Sequence, residues 1–408
     1  MKRTKQPHSG ILKFRVFTST LISLSALCQS QAQDAVPDHF DRAFVKQLVD
    51  RINRLESELK EVKGKAVTPS AHPEDSAPIS REAFPMVQFH GFADVQYRAN
   101  DRTGDKNSFS LGQLDLFVTS RLSEDLSVLS ENVVEASDEN EFGFEIERLL
   151  LQYTPSDYFN LTLGRHHTSI GYYNTAYHHG SWFQTGTDRP FLFNFDDENG
   201  ILPTHNVGAS INGQIPSGRL GLRYVAEVGN GRNYAHNQEP VLSVKDNNSH
   251  KAINLALIAK PTRWPKLQTG VSVYHDRLTT TSLPDITQTI FAAHVVYPTP
   301  IFEWLNEGMI LRHAPSDSGH VYYTPGFYSQ ISRQFGKIRP FVRYQYLNAP
   351  AGDPLMAYLG LSGLRHGPSV GFRYDFSDLA AFKLQYDRYF EPDGHDVNQI
   401  TMQVGFTF

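Results

Sequence analysis

The sequence predicts an all-β fold: a transmembrane antiparallel β-barrel of sixteen strands, preceded by a short coiled-coil helix. Three observations carry the prediction. Apolar and polar residues alternate along most of 85–408, the period of a strand with one apolar face. Between those segments, tight turns and longer polar connections follow one another in regular alternation. The chain ends NQITMQVGFTF, which sets Ile400, Met402, Val404, Phe406 and Phe408 on every second position of a last strand.

Composition alone leaves the class open. Hydrophobic content is 40% and mean hydropathy −0.39, and no run approaches the roughly 20 apolar residues of a membrane-spanning helix. An alternating barrel gives the same averages, because its two phases cancel in any window. Residues 1–32 read as a secretory signal. Lys2, Arg3, Lys5, Lys13 and Arg15 precede an apolar stretch from Val16 to Cys28, and Ser30-Gln31-Ala32 offers small residues for cleavage after Ala32. Leu27 before Cys28 fits lipoprotein processing poorly. Removing these five basic residues takes the net charge from −5 to −10 and removes the one cysteine. An exported chain without cysteine relies on its core and its ladder for stability. The acidity argues against a nucleic-acid partner.

The spacing of Val45, Leu48, Ile52, Leu55, Leu59 and Val62 predicts a helix over 38–63. At about two and a half heptads it cannot bury its stripe alone, so it is expected to pair with copies of itself. Residues 64–84, rich in Pro, Ser and Ala, read as a linker.

From 85 to 408, strands are expected near 87–99, 112–122, 125–136, 143–154, 158–166, 206–214, 219–229 and 252–260. Eight more follow near 266–275, 286–297, 301–312, 321–335, 338–348, 367–376, 380–390 and 397–408. An up-and-down barrel produces the alternation of short and long connections, which a sandwich with Greek-key crossings would break. An even strand count puts both ends of the barrel on the tight-turn, periplasmic side, together with the helix. The apolar phase is expected to touch outer-membrane lipid, where every backbone amide needs a partner and only a closed sheet supplies it.

The opposite phase is then the lumen. It holds Arg98, Arg121, Arg148, Arg223, Arg343, Arg373 and Lys383 against Asp94, Asp115, Glu131, Glu227, Asp375 and Asp387. A water-filled interior tolerates such a set, a dry core does not, and its near balance argues against strong ion selectivity. The longest connection, about forty residues from His166, is the third on the outer side. Its aromatics predict that it packs inward and narrows the pore. It carries Arg165 and Arg189 at the expected constriction, and its acids Asp196, Asp197 and Glu198 are expected to face the wall arginines. His166-His167 and His178-His179 are adjacent pairs whose members point opposite ways on an extended segment. Zinc sites need fixed spacing and supporting partners, so hydrogen bonding within the loop is expected instead, with no metal and no other cofactor.

The ending, with Phe406 third from last and Phe408 last, resembles the signal by which bacterial outer-membrane barrels meet their assembly machinery. With the export signal, the short coiled coil and the stretch LTLGRHHTSIGYYN from Leu161, the chain resembles the phosphate-selective (O/P type) porin family. The resemblance implies a homo-trimer with its helix in the periplasm and passive uptake of small hydrophilic solutes or inorganic ions through each barrel. The family's phosphate specificity rests on arginines at the constriction and lysine clusters above and below it. Here the third loop has no lysine, so that specificity is not carried over. Two other classes were set against the diffusion channel. A tether would use the periplasmic helix with the barrel as anchor. An outer-membrane enzyme needs Ser, His and an acid or amide gathered on one face, and among 17 histidines no such Ser/His spacing stands out; no enzymatic activity is expected.

Overall fold

The computed structural model describes residues 85–136, 140–177, 182–195, 200–234, 240–241, 244–280, 282–392, 394 and 396–408. The signal segment, the helix over 38–63, the linker, the His178-His179 pair and Asp196, Asp197 and Glu198 lie outside the described residues.

Sixteen strands form one closed antiparallel barrel. The first seven are β1 (Met86–Asn100), β2 (Ser108–Arg121), β3 (Leu126–Ala136), β4 (Phe142–Ser156), β5 (Phe159–His167), β6 (His205–Gln214) and β7 (Leu222–Gly229). A separate two-stranded ribbon follows, β8 (Asn233–Tyr234) with β9 (Pro240–Val241). The barrel resumes with β10 (Ala252–Ala259), β11 (Gln268–Leu278), β12 (Ile286–Pro298), β13 (Phe302–Pro315) and β14 (Tyr322–Arg333). It ends with β15 (Ile338–Ala349), β16 (Gly363–Ser377), β17 (Ala380–Phe390) and β18 (Asp396–Thr407). Each expected segment coincides with one barrel strand. The ribbon β8–β9 has only two residues per strand, too few for a period to show in sequence.

Two strands begin earlier than alternation indicates, for identifiable reasons. In β2 the register shifts by one residue between Ala93 and Val95. The outward phase therefore changes from Phe109 and Leu111 to Leu114 and Leu116, and the bulge hides the first half of the strand from a period-two reading. In β16 the segment 363–368 carries Gly363, Gly367 and Pro368, residues that read as a loop but are paired to β15 throughout.

Closure occurs where β1 meets β18, from Phe92↔Thr407 to Asn100↔Gln399. Beyond it Gly91 and Phe408 exchange both backbone hydrogen bonds, each 3.0 Å, and the Phe408 ring lies where a side chain on Gly91 would stand. At the other end of the seam, Asn398 donates to both carboxylate oxygens of Asp101, from its backbone at 2.8 Å and its amide at 2.6 Å. These bonds hold the Asp101 carboxyl below its ordinary value.

Burial follows the pleat. On β11, Val271, Val273 and His275 are exposed while Ser272, Tyr274 and Asp276 are buried. The exposed phase is a band of Val, Leu, Ile and Phe, with Tyr158, Trp264, Trp304, Tyr323 and Tyr344 among its aromatics. The inward phase is not a charged lining throughout. On β11–β15 it includes Tyr274, Ile290, Val296, Leu305, Met309, Leu311, Tyr328 and Leu347, which form one apolar cluster with Ile170, Tyr173, Leu192, Phe193, Ile201 and Leu202 of the β5–β6 connection. That half of the barrel is filled by protein. Its sign in the sequence is a strand such as TIFAAHVV, apolar on both phases and so ambiguous between lipid and core.

A second connection also packs against inward side chains. Between β15 and β16, the short helix Pro354–Tyr358 is capped by Asp353, whose carboxylate accepts from Leu355 N (3.1 Å) and Met356 N (3.3 Å). The same carboxylate meets His313 Nδ1 of β13 at 2.7 Å, both side chains fully buried. Leu355 and Leu359 pack on Leu278 and Ile286.

Gly164 on β5 has φ +128°, and a Cβ there would collide with the backbone oxygen of Leu149. Both faults act together, so Gly164→Ala is expected to destabilise the barrel by at least about 1–3 kcal/mol. The check is the urea midpoint of the folded, heat-modifiable band on gels, which should fall relative to Gly319→Ala, a position with open space.

Candidate functional site

The site is built where the described residues of the β5–β6 connection, 168–177, 182–195 and 200–204, lie against inward side chains of the barrel. An isolated segment of this length would leave many backbone groups without partners once out of water. Here the wall supplies them, in two chemically opposite stretches.

The first stretch is held by carboxylates accepting from its donors. Glu227 of β7 accepts from Ser169 N (3.1 Å) and Ser169 Oγ (2.9 Å), and also from Asn254 Nδ2 (2.8 Å). Glu307 of β13 accepts from Tyr172 N, from Tyr173 N (2.9 Å) and from Tyr328 Oη (2.7 Å). Glu303, four residues earlier on the same face of β13, accepts from Tyr177 Oη (2.7 Å), Thr185 Oγ1 (3.2 Å) and Gln330 Nε2 (3.1 Å). Tyr173–Ala176 forms a single helical turn. Burial pushes the Tyr172 and Tyr173 hydroxyls up to about 12. The Tyr173 hydroxyl donates to Gln184 Oε1.

The second stretch, 182–191, is held by cations donating to its carbonyls. Lys383 Nζ donates to Gly186 O at 3.2 Å, Arg343 Nη1 to Asp188 O at 2.8 Å, and Arg373 Nη1 to Trp182 O. Arg373 also lies over the Trp182 ring, 4.6 Å from its centroid. Two glutamines complete the set: Thr187 N donates to Gln385 Oε1 and Phe191 N to Gln345 Oε1, both at 2.9 Å. The Asp188 side chain reaches across to β1, where Arg98 Nη2 meets it at 2.7 Å. Gly186 passes so close to Gln385 that a side chain there would displace its amide oxygen.

Beside this stretch lies a cavity of about 710 Å³, lined on the barrel side by β1–β3 and β16–β18 and on the other by residues 184–195. Its charges are of both signs and largely joined to each other. Arg98 pairs with Asp188, and Glu391 takes both Arg102 (3.2 Å) and Arg365 (3.3 Å). Asp94, at its base, accepts from Gln113 N (3.1 Å) and Gln403 Nε2 (2.9 Å).

The residues singled out from sequence fall into distinct places. Asp94, Arg98 and Arg189 line this cavity; Arg189 also lies 4.1 Å from the Phe195 ring centroid and donates to Tyr177 O at 3.3 Å. Arg343 and Arg373 hold the connection from the wall. Arg148 is bonded to Glu131 across β3–β4. Arg165 donates to Glu147 O (2.8 Å) and pairs with the Glu147 carboxylate (3.5 Å), which also meets His205 Nε2 at 2.7 Å. The one-residue bulge in β4 makes this second ion pair, because it places Glu147 beside Arg148 on the inner side. Arg121 and Arg223 stand at the tight-turn end, away from the cavity; Arg121 bonds Glu124 O, and Arg223 shares a smaller pocket with Lys260. His166 and His167 are buried by β3–β6, His167 Nε2 at 3.9 Å from Glu131. Among the described residues no three His, Asp or Glu gather as metal ligands. Phe406 is paired with Ala93 and with Ala380, at the closing seam.

The sequence did not single out Glu303 and Glu307, which accept hydrogen bonds from the connection, or Asp188 within it, which meets Arg98. The signal available was weak: an acid on the inward phase of an otherwise apolar strand, as in EWLNEGM.

Glu307→Ala strands the Tyr172 and Tyr173 amides and the Tyr328 hydroxyl, at about 1–3 kcal/mol for each buried donor left unmet. Amide hydrogen exchange over 170–177 is expected to speed by at least about tenfold, with Glu307→Gln, which keeps an acceptor, intermediate.

No family model matches the chain, and no curated protein matches it either. Solved structures do resemble it in fold. The anion-selective porin from Comamonas acidovorans superposes with a TM-score of 0.57 at 13% identity, over 79% of this chain and 100% of that one. The outer membrane channel DcaP of Acinetobacter baumannii gives 0.54 at 10% identity, over 80% and 99%. The trimer form of OmpT, an outer membrane protein of Vibrio cholerae, gives 0.53 at 10%, over 79% and 99%. At these identities the likeness is one of barrel architecture.

Proposed function

We propose that the chain is an outer-membrane porin, a water-filled barrel through which small hydrophilic solutes or ions diffuse, narrowed by the β5–β6 connection. The observation that carries this reading is the combination of an apolar exposed band with a polar cavity inside the same closed sheet. A barrel solvated by lipid outside and water inside needs that arrangement; a water-soluble one does not. The porin and channel neighbours support the same reading. Export by the segment 1–32, a periplasmic helix over 38–63 and a homo-trimer belong to it as proposals, the last supported by the trimeric Vibrio protein.

The charges of the cavity favour a weakly selective pore. Arg98, Arg102 and Arg365 each have a carboxylate partner, so a passing ion meets paired dipoles more than a bare charge. The constriction is expected between residues 182–191 and the wall carrying Asp94, Arg98 and Arg148. The alternative as a tether gains no specific support among the described residues.

Purified and refolded protein is expected to give discrete conductance steps in planar bilayers, with a reversal potential near zero in a salt of equally mobile ions. Asp188→Ala removes the acid of the Arg98–Asp188 pair and should move the reversal potential toward anion preference, while Arg98→Ala should move it the other way. A correctly folded barrel silent at every voltage overturns the reading.

A further inference from the structure

A guanidinium on the lipid-facing phase of a barrel is costly at mid-depth and tolerated only near an interface. One outward row of residues crosses four adjacent strands: His275 of β11 faces Thr289 of β12, Thr289 faces Arg312 of β13, and Arg312 faces Tyr323 of β14. His275 Nδ1 and Thr289 Oγ1 are 3.0 Å apart. The next outward row toward the tight-turn end is Val273, Phe291, Ile310 and Pro325, without a polar side chain. The polar row therefore marks the level at which the apolar band stops, on the side of the long connections.

Three other arginines at this end of the barrel are paired with carboxylates of the protein itself. Arg277, one step further out, holds Asp285 at 2.8 Å; Arg365 holds Glu391 at 3.3 Å; Arg388 holds Asp396 at 2.8 Å. Arg312 has no carboxylate partner among the described residues. Its fork of donors matches a phosphate in shape as well as charge, the half-exposed Tyr323 stands on one side and Thr289 on the other, and exposed Phe291 and Ile310 lie directly below. An anion seated here would have an apolar surface beneath it, which suits acyl chains and gives nothing to a free ion.

We propose that this row binds the phosphate of an anionic lipid headgroup in the outer leaflet, with Arg312 as the direct partner and the Tyr323 and Thr289 hydroxyls beside it. The site rests on the reading of the exposed apolar band as lipid-facing. It is independent of the pore, since the row is on the opposite side of the sheet from the cavity.

Native mass spectrometry of the full refolded chain in detergent, with phosphatidylcholine, phosphatidylglycerol or lipid A added, tests it. The unaltered protein should retain both phosphate-bearing anionic lipids in preference to phosphatidylcholine. Arg312→Ala should weaken that preference about tenfold, and Arg312→Lys should keep part of it. Arg333→Ala, on the same outward phase of β14 but at the tight-turn end, should leave it unchanged. Equal retention by the unaltered and Arg312→Ala proteins overturns the site. Displacement of the lipid by inorganic phosphate at matched concentration also overturns it, because the ligand is then a soluble anion. A protein that needs no detergent removes the lipid-facing band itself; the requirement for detergent thus separates failure of the site from failure of the reading beneath it.

Discussion

Gly91 and Phe408 exchange their backbone hydrogen bonds at 3.0 Å, and with that pair the ladder has no free edge at its closing seam. Every other element depends on this closure. In hydrocarbon an unpaired amide has no water to turn to, so an open sheet of these strands would present a row of unmet groups. The seam is reinforced where a closing strand is most apt to fray: at one end by the Phe408 ring over Gly91, at the other by Asn398 clasping Asp101.

The same demand for partners recurs inside the barrel, with side chains in place of a ladder. Residues 168–177 and 182–191 have little regular structure of their own. Their amides meet Glu227 and Glu307, and their carbonyls meet Lys383, Arg343 and Arg373. Charge-assisted bonds of this kind are stronger than neutral ones, and each removes the cost of burying two groups at once. The wall charges, taken at first sight as a lining for solutes, are in good part the means by which a long connection is fixed. What remains exposed to the cavity is a set of joined pairs, Arg98 with Asp188 and Glu391 with two arginines.

This arrangement makes the interior unequal around its circumference. β11–β15 turn apolar residues inward to Ile170, Tyr173, Leu192 and Phe193, forming a dry core within the barrel. β1–β3 and β16–β18 turn polar residues to the cavity. One side provides the stability that holds the connection in place, and the other leaves the space. The helix Pro354–Tyr358, held through Asp353 and His313, lies over the filled side and adds to its closure.

Much of the fold is legible in the sequence because a strand's two faces write themselves as a period of two, and because turn length repeats with topology. The sixteen strands, their order and the exposed apolar phase follow from residues read locally. Where the pleat is broken the reading fails: the bulges near Ala93 and Glu147 change phase within a strand, and only the paired neighbour reveals it. The site is far less legible. Arg148 and Arg165 stand out as charged residues on a wall, but their partners Glu131 and Glu147 are defined by register, and nothing near Glu307 in the chain announces Tyr172, 135 residues away. Alternation is a property of neighbours along the chain, so the sequence by itself determined the barrel. Which inward charges hold the connection and which border the cavity depends on distances between residues far apart in the chain, and only the tertiary structure decided that.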